Sequence, residues 1–293
     1  MKRAYRWILI CSIAFVTLAM KINSMIAIEE TTISLSDAIS KKVITGEFKG
    51  TGNYSGFAMN VSLNNLQQKK ISLLIPAGTM FKPSDDGAQN ILVPEDKILV
   101  LKPGEKINSV LTGFCCEASD KAPSKDMKFS LSSNKDPKML KLYAAVKGKS
   151  YSNDVLQDAI WCVSDNHSVS DIYAPNMNAI KPLRDELCKI TGQKDTWYST
   201  PKMHSVDASG NISHTTTSVN GLVKFKAVKA SKIHNEIHDA NGNLVIKNPN
   251  EFTVRPGNVE YDFEIKVQNW EKGTYFVKVY EDDKVVHQQE FKI

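Results

Sequence analysis

The sequence predicts a mainly β protein built from two β-sandwich domains. Short runs in which apolar residues alternate with polar or small ones, such as Phe57–Leu63, recur along the chain and are typical of half-buried strands. Asn, Gly, Pro and Asp separate these runs at short intervals, which is the spacing of an antiparallel sandwich. Only two or three segments have helical periodicity, so we expect the helices to be minor elements of the N-terminal domain.

The start of the chain predicts a secretory signal segment. A basic cluster of Lys2, Arg3 and Arg6 precedes the apolar run Ile8–Met20, which is too short to span a bilayer comfortably. We expect residues 1–27 to be removed during export. An uncleaved membrane anchor is the alternative.

The net charge of the chain also depends on this segment. The full chain has 37 basic and 32 acidic residues, a formal net charge of +5. Residues 1–27 hold four of the basic residues and none of the acidic ones, so removing them leaves a net charge of +1. A nearly neutral chain gives no electrostatic reason to bind nucleic acid. We expect a protein or glycan partner at the cell surface, and membrane contact only through an uncleaved signal segment.

Residues 28–200 are predicted to form the larger, N-terminal sandwich. Within it, Ile91–Val93 and Ile98–Leu101 flank the turn residues Pro94–Lys97, which predicts a β-hairpin. The same alternation and turn signals predict further strands at Phe57–Leu63, Ile71–Ile75 and Ile107–Phe114.

Three helices are expected to cover this domain: Pro137–Val146, a central helix within Ser152–His167, and Lys181–Thr191. In the central helix, Leu156, Ile160 and Val163 recur at i, i+4 and i+7 and predict an apolar stripe. Asp154 is placed to cap this helix, and Gln157 lies three residues later, where it would complete a capping box.

The remainder of the chain is predicted to be a linker followed by a second domain. Residues 201–216 are rich in Ser, Thr, Asp, Asn and His, with few apolar residues, and predict the linker. Residues 217–293 contain seven short strand patterns separated by turn residues, which indicate a small immunoglobulin-like sandwich. His234 and His238 share one face of a predicted strand, roughly 13 Å apart. That separation favours a strand surface over a shared metal ion.

Four cysteines lie beyond the signal segment, and they are Cys115, Cys116, Cys162 and Cys188. An even number in an exported chain predicts two disulfides. Cys162 could pair with Cys188, and Cys115 or Cys116 with either of them. A vicinal Cys115–Cys116 bond is not expected because it needs an unusual peptide geometry. No Cys-x-x-Cys spacing is present, so neither a metal site nor a cofactor is predicted.

The C-terminal strands carry a recurrent motif in three parts: His238–Val245, Gly273–Tyr280 and a final strand at Val285–Ile293. This region resembles the C-terminal sorting domains of the bacterial type IX secretion pathway and similar immunoglobulin-type modules. The resemblance implies that the last part of the chain serves export, attachment or interaction.

A second resemblance concerns the N-terminal domain. Phe114–Cys116, followed by Leu156–Trp161, is similar to thioester-forming domains of bacterial surface adhesins, which pair an aromatic-Cys segment with the start of a Gln-x-Ala-apolar-Trp helix. The resemblance implies that Cys115 or Cys116 supplies the thiol and Gln157 the acyl group. The buried thioester would then acylate a partner's amine or hydroxyl. A helix N-terminus beside the thiolate would stabilise it.

Taken together, the sequence predicts an exported extracellular or cell-surface binding or adhesion protein without catalytic activity. The chain has no Gly-x-Ser-x-Gly, His-Glu-x-x-His or phosphate-binding glycine loop. One alternative is a thioester-forming adhesin. The other is a secreted hydrolase of unrecognised type, because the fold sets the geometry of carboxylate pairs for glycoside hydrolysis.

Overall fold

The structure is a computed structural model and describes residues 32–133 and 136–293. The predicted signal segment, residues 1–27, lies outside the described residues. The described chain divides into two compact units. The first unit comprises residues 32–45, Leu63–Ile75 and Lys97–Ile107. The second unit comprises the described residues of Gly46–Ser62, Pro76–Asp96 and Asn108–Ile293.

The elements are labelled in chain order. The strands up to residue 133 are β1 (Thr32–Ser34), β2 (Ile44–Gly50), β3 (Ser55–Asn65), β4 (Ile71–Ile75), β5 (Thr79–Pro83), β6 (Ile91–Val93), β7 (Lys97–Leu101), β8 (Lys106–Cys115) and β9 (Lys128–Ser133). The later strands are β10 (Tyr198–Ser199), β11 (Lys202–Val206), β12 (Ile212–Thr216), β13 (Ser218–Ala227), β14 (Ser231–Asp239), β15 (Leu244–Lys247), β16 (Phe252–Val254), β17 (Gly257–Lys266), β18 (Thr274–Glu281) and β19 (Lys284–Lys292). The α-helices are α1 (Leu35–Ser40), α2 (Pro137–Val146), α3 (Asn153–Ser164) and α4 (Met177–Thr191).

The first unit contains a three-stranded sheet. Its central strand β4 pairs parallel with β1 and antiparallel with β7. Leu73 and Ile75 of β4 are fully buried, as expected for the central strand of a covered sheet. The side chain of Ser34 caps α1 by accepting a hydrogen bond from the Asp37 N–H at 3.1 Å.

Six further strands close into a barrel in the order β2-β3-β8-β6-β5-β9. Closure depends on β9, which pairs antiparallel with both β5 and β2. The rings of Phe48 and Phe81 meet at a centroid distance of 4.9 Å. The predicted mainly β class is confirmed. The closed barrel differs from the sandwich expected here because β9 joins strands that lie far from it in sequence.

The predicted hairpin of Ile91–Val93 with Ile98–Leu101 is wrong. Strand β6 pairs with β5 and β8, whereas β7 pairs with β4. The carboxylate of Asp96, in the predicted turn, accepts hydrogen bonds from the Ala77 N–H at 2.8 Å and from Lys147 Nζ at 3.1 Å. The turn residues therefore separate β6 from β7, but the two strands do not pair with each other, because strands more distant in sequence pair with their edges.

The helices agree closely with the predicted ones. Helix α2 has the predicted bounds, with Pro137 at its start, and the side chain of Asp136 accepts a hydrogen bond from the Lys138 N–H at 2.8 Å. Gly192 ends α4 with a left-handed φ of 80°. The apolar faces of α2, α3 and α4 pack together with Leu92 and Phe114. No helix in the described part of the chain is both long and apolar enough to cross a membrane.

Residues 201–216 form a β-hairpin where the sequence predicted a linker. Strands β11 and β12 pair antiparallel along their whole length. The carboxylate of Asp207 holds the turn by accepting hydrogen bonds from the Ser209 and Asn211 N–H groups at 2.8 and 2.9 Å. Polar contacts hold this hairpin, which is why its sequence has few apolar residues. The predicted domain boundaries stay a prediction.

The seven strands β13–β19 reproduce the predicted C-terminal series in number and order. One sheet has the order β10-β13-β17, and the other has the order β15-β14-β18-β19, with β16 also paired to β14. Val277, Val279 and Phe291 are fully buried in the apolar cluster of this region. The immunoglobulin-like connection of the strands stays a prediction.

Candidate functional site

The end of β8 and the first half of α3 meet at a buried contact between Cys115 and Gln157. Gln157 Nε2 donates a hydrogen bond of 2.8 Å to the Cys115 carbonyl oxygen, and neither residue has exposed surface. The other polar atom of the carboxamide, Gln157 Oε1, is buried with no hydrogen-bond partner among the described residues. The structure therefore brings together the glutamine and one of the two cysteines on which the thioester resemblance rests.

The predicted capping box at the start of α3 is wrong. Ser152 is the N-cap, and its side-chain oxygen accepts a hydrogen bond from the Val155 N–H at 3.4 Å. Gln157 lies inside the helix, and its side chain reaches β8 instead of Asp154. Burying a carboxamide oxygen without a donor costs free energy, so helix capping does not explain this residue.

The two adjacent cysteines have different surroundings. Cys116 belongs to the apolar cluster formed by the helices. The Cys115 carbonyl accepts the hydrogen bond from Gln157, and the Cys115 N–H donates to the Tyr54 carbonyl oxygen at 2.9 Å. Of the two candidate cysteines, Cys115 is therefore the one that the Gln157 carboxamide contacts.

Both thiols are held in the neutral form. Burial raises the pKa of Cys115 and of Cys116 well above the usual value, and the negative charge of Glu117 raises it further. Burial also raises the pKa of Glu117, although its carboxylate accepts hydrogen bonds from Asn90. Burial therefore disfavours the thiolate that the resemblance implies, and the stabilising effect of a helix N-terminus stays a prediction. Any reaction of Cys115 must move the thiol proton in the same step.

No disulfide joins any two of the four cysteines of the described residues. Cys115, Cys116 and Cys162 are buried, whereas Cys188 on α4 is partly exposed. Burial raises the pKa of Cys162 to about 12. The two predicted disulfides are not formed in this structure, and their formation in the exported protein stays a prediction.

Beside the Cys115–Gln157 contact lies a chain of polar groups that joins α3 to the β11–β12 hairpin. Asp158 Oδ1 lies 3.0 Å from His204 Nε2, and His204 Nδ1 lies 2.8 Å from His214 Nδ1. His214 Nε2 lies 3.3 Å from the Ala118 carbonyl oxygen. The side chains of Asp158 and His204 are 9% and 4% exposed. These three side chains, Asp158, His204 and His214, are called the Asp-His-His chain below.

Two aromatic rings connect the Asp-His-His chain to Cys115. The fully buried ring of Trp161 lies edge-on to His204 and His214, at centroid distances of 5.0 and 4.9 Å. The ring of Tyr54 stacks on Trp161 at 6.0 Å, and its backbone accepts the Cys115 N–H. Tyr54 therefore contacts both Trp161 and Cys115.

Burial favours the neutral form of most titratable groups here. It raises the pKa of Asp158, although the hydrogen bond with His204 acts in the opposite direction. It lowers the pKa of His214 and of His167. It also raises the pKa of Tyr54, and nearby negative charges add to that effect. The site is thus a poorly hydrated region in which a net charge would be costly.

Sequence reasoning missed the Asp-His-His chain because both histidines fall in the predicted linker. One signal could have found them. His204 and His214 are equally distant from the centre of the turn Asp207–Asn211, so a hairpin through that turn places them directly opposite each other.

The C-terminal part of the chain matches a known family. The family model of the secretion system C-terminal sorting domain matches residues 216–291. These residues are called the sorting domain below, after the family that they match. The resemblance drawn from His238–Val245 and Gly273–Tyr280 is therefore confirmed. The protein is exported, and it is secreted or located at the cell surface.

The sorting domain carries a second polar cluster on β14. His234 Nε2 lies 3.4 Å from Glu236 Oε1, and His238 Nε2 lies 3.0 Å from Glu236 Oε2. Lys247 Nζ lies 3.2 Å from Glu236 Oε1. The predicted open strand surface is wrong, because the two imidazoles and the carboxylate are mostly buried. No group of three His, Cys, Asp or Glu within residues 32–133 and 136–293 is arranged to hold a metal ion.

Other comparisons add little to the sorting-domain match. No curated protein matches the sequence. The β-glucosidase from Kluyveromyces marxianus in complex with glucose is 11% identical with a TM-score of 0.21, covering 80% of this chain and 44% of that chain. A putative β-galactosidase from Bacteroides fragilis is 9% identical with a TM-score of 0.20, covering 83% and 34%. This chain spans less than half the length of either, and such low similarity says nothing about its activity.

Proposed function

We propose that the exported protein is a surface adhesion protein that bonds to its partner through a thioester between Cys115 and Gln157. The observation that carries the proposal is the buried 2.8 Å hydrogen bond from Gln157 Nε2 to the Cys115 carbonyl oxygen. This contact holds the carboxamide against the residue that bears the thiol. Joining the two therefore needs no large movement of β8 or α3, which lowers the entropic part of the barrier.

The bond forms by exchange of nitrogen for sulfur. The Cys115 sulfur adds to the Gln157 side-chain carbon, the carbon–nitrogen bond breaks, and the thiol proton leaves with the nitrogen as ammonia. In the second step, an amine or hydroxyl of the partner attacks the same carbon and the carbon–sulfur bond breaks. The partner's proton returns to the sulfur. One partner molecule is bonded per chain, so the protein is consumed and is not an enzyme.

Burial supports this use of the site. Gln157 and Cys115 are fully buried, which keeps water away from an ester-like bond that water would otherwise hydrolyse. The unpartnered Gln157 Oε1 further supports the proposal, since a carbonyl without a donor is a poor structural anchor. The sorting domain would place this reactive module outside the cell.

The intact mass of the purified full-length exported protein tests the proposal. We expect the wild type to be lighter by one ammonia than the mass calculated for the exported chain from its observed ends, because the Cys115–Gln157 bond releases ammonia. Treatment with methylamine should then add the mass of one methylamine, since the amine opens the thioester. Cys115→Ala and Gln157→Ala should show neither change.

Cys116→Ala is the matched control, because it removes the neighbouring thiol that lies in the helical cluster. This variant should lose ammonia as the wild type does. An unmodified wild-type mass, or ammonia loss that persists in Cys115→Ala, would contradict the assignment. Two disulfides would instead lower the mass by four hydrogens, and reduction would reverse that change.

A further inference from the structure

Each contact of the Asp-His-His chain needs one proton. The Ala118 carbonyl oxygen can only accept, so His214 Nε2 carries a proton. Between His204 Nδ1 and His214 Nδ1, one nitrogen donates and the other accepts, because two lone pairs or two N–H groups at 2.8 Å repel each other. The same holds between Asp158 and His204. The three contacts together therefore hold three protons.

Two neutral imidazoles supply only two of these protons. The third resides either on Asp158, as a carboxylic acid, or on the imidazoles, as an imidazolium beside the Asp158 carboxylate. The three side chains are neutral overall in both arrangements, which suits their burial. Losing the third proton leaves two lone pairs face to face, and gaining a fourth places two hydrogens face to face. Either change breaks one contact.

We propose that this shared proton fastens the β11–β12 hairpin to α3 and thereby positions Tyr54 beside Cys115. Loss of the Asp158–His204 contact releases the hairpin from α3, and loss of the His204–His214 contact weakens the pairing of the hairpin's own strands. The ring of Tyr54 lies edge-on to His204 at 6.3 Å, and its carbonyl holds the Cys115 N–H. His204 and His214 are positioning residues for the Cys115–Gln157 bond, a consequence that rests on the proposed function.

Other titratable and charged groups pack around the chain: Tyr54, Asp165, His167, Asp171 and Lys202. Asp171 and Lys202 form an ion pair at 2.6 Å and so offset each other. Asp165 accepts the Ala118 N–H at 2.9 Å. Burial lowers the pKa of His167, which favours its neutral form. None of these groups replaces Asp158 as the partner of the shared proton.

Proton linkage gives the arrangement a measurable signature. The folded chain keeps three protons, whereas the unfolded one holds four between about pH 3.9 and about pH 6.5 and two above about pH 6.5. The folding equilibrium constant should therefore rise about tenfold per pH unit below about pH 6.5 and fall about tenfold per unit above it. The raised pKa of Asp158 accounts for the loss of folding stability as pH rises. The lowered pKa of His214 accounts for the loss of folding stability as pH falls.

The test is the folding equilibrium of the full-length protein, measured by denaturant titration on both sides of about pH 6.5. His214→Phe keeps an aromatic ring against Trp161 and removes the nitrogens that share the proton. The folding equilibrium constant of the wild type should pass through a maximum at about pH 6.5. That of His214→Phe should not decline on the alkaline side. Ser213→Ala is the matched control, because Ser205 and Ser213 form the next cross-strand pair at 2.7 Å. It should keep the wild-type profile.

Asp158→Asn provides a second variant in case His214→Phe does not fold. The new carboxamide can donate an N–H to His204 Nε2, so the three contacts are complete with two neutral imidazoles and no titratable third proton, and the alkaline decline should disappear. A wild-type profile without an alkaline decline, or one unchanged in both variants, would overturn the proposal. Methylamine uptake on the same samples should rise where the contacts break. If no ammonia is lost but the stability maximum persists, the shared proton stands and the proposed thioester falls.

Discussion

Replacing Trp161 with alanine is expected to destabilise the protein by about 3–5 kcal/mol, the range for deleting a large buried aromatic side chain. The ring is fully buried and contacts four aromatic neighbours at centroid distances of 4.9–6.0 Å: Tyr54, His167, His204 and His214. Its removal leaves a cavity between α3 and the β11–β12 hairpin. Equilibrium denaturation followed by circular dichroism measures the loss.

Trp161→Phe is the control for this experiment. The indole Nε1 has no hydrogen-bond partner in the part of the chain that the structure describes, so phenylalanine forfeits packing volume but no hydrogen bond. We expect a clearly smaller loss than for alanine. Equal losses in the two variants would contradict the view that the packing of a buried aromatic ring stabilises this region.

Replacing Arg184 with alanine is expected to cost about 3 kcal/mol, the lower end of the range for breaking a buried ion pair. The guanidinium is 3% exposed, and its Nε donates to Asp195 Oδ1 at 3.0 Å. Other nitrogens donate to the Ile172 and Tyr198 carbonyl oxygens, each at 3.3 Å. The lower figure applies because Asp195 is 36% exposed, so water can partly solvate its charge when the arginine is lost. Thermal and denaturant unfolding both measure the loss.

Lys181→Ala on the same helix is the matched control. Lys181 pairs with Asp185 at 2.8 Å, but the pair lies in solvent. Exposed pairs contribute little, so no measurable change is expected. A similar loss in both variants would mean that α4 responds to charge removal in general, and that the buried network of Arg184 has no special role.

Local sequence signals predicted the elements that are set by nearby residues. The bounds of α2 follow from Asp136 and Pro137 at its start, and Gly192 marks the end of α4 because only a residue tolerant of positive φ fits there. The strands of the sorting domain were predictable because a turn pair such as Asn241-Gly242 interrupts each apolar run. These signals involve only residues close in sequence, and the observed bounds of the elements agree with them.

Long-range pairing was not predictable in the same way. Whether β6 pairs with β7 or with β5 and β8 depends on edges contributed by distant segments, which the local pattern of Ile91–Leu101 does not contain. The predicted capping role of Gln157 was wrong for a related reason. Its spacing from Asp154 satisfies a capping box, but the nearby strand end at Cys115 offers a buried acceptor for the same carboxamide.

The candidate site was thus half predictable. The thioester resemblance singled out Cys115, Cys116 and Gln157, and the structure places Gln157 against Cys115. His204 and His214 were missed because polar strands give no apolar period, and the hairpin that carries them is recognised only when both strands are aligned. Sites assembled from polar side chains on different elements leave little trace in hydrophobic patterning.

The central claim is that Cys115 and Gln157 share a covalent bond, and peptide mapping of the exported protein tests it most directly. After digestion under mildly acidic conditions, we expect the Cys115 peptide joined to the Gln157 peptide by a link that survives reduction with a phosphine, which carries no thiol to exchange with it. Methylamine should break that link and leave a methylamide on residue 157 and a free thiol on residue 115. Four alkylatable cysteines together with an unmodified, unlinked Gln157 would contradict the claim.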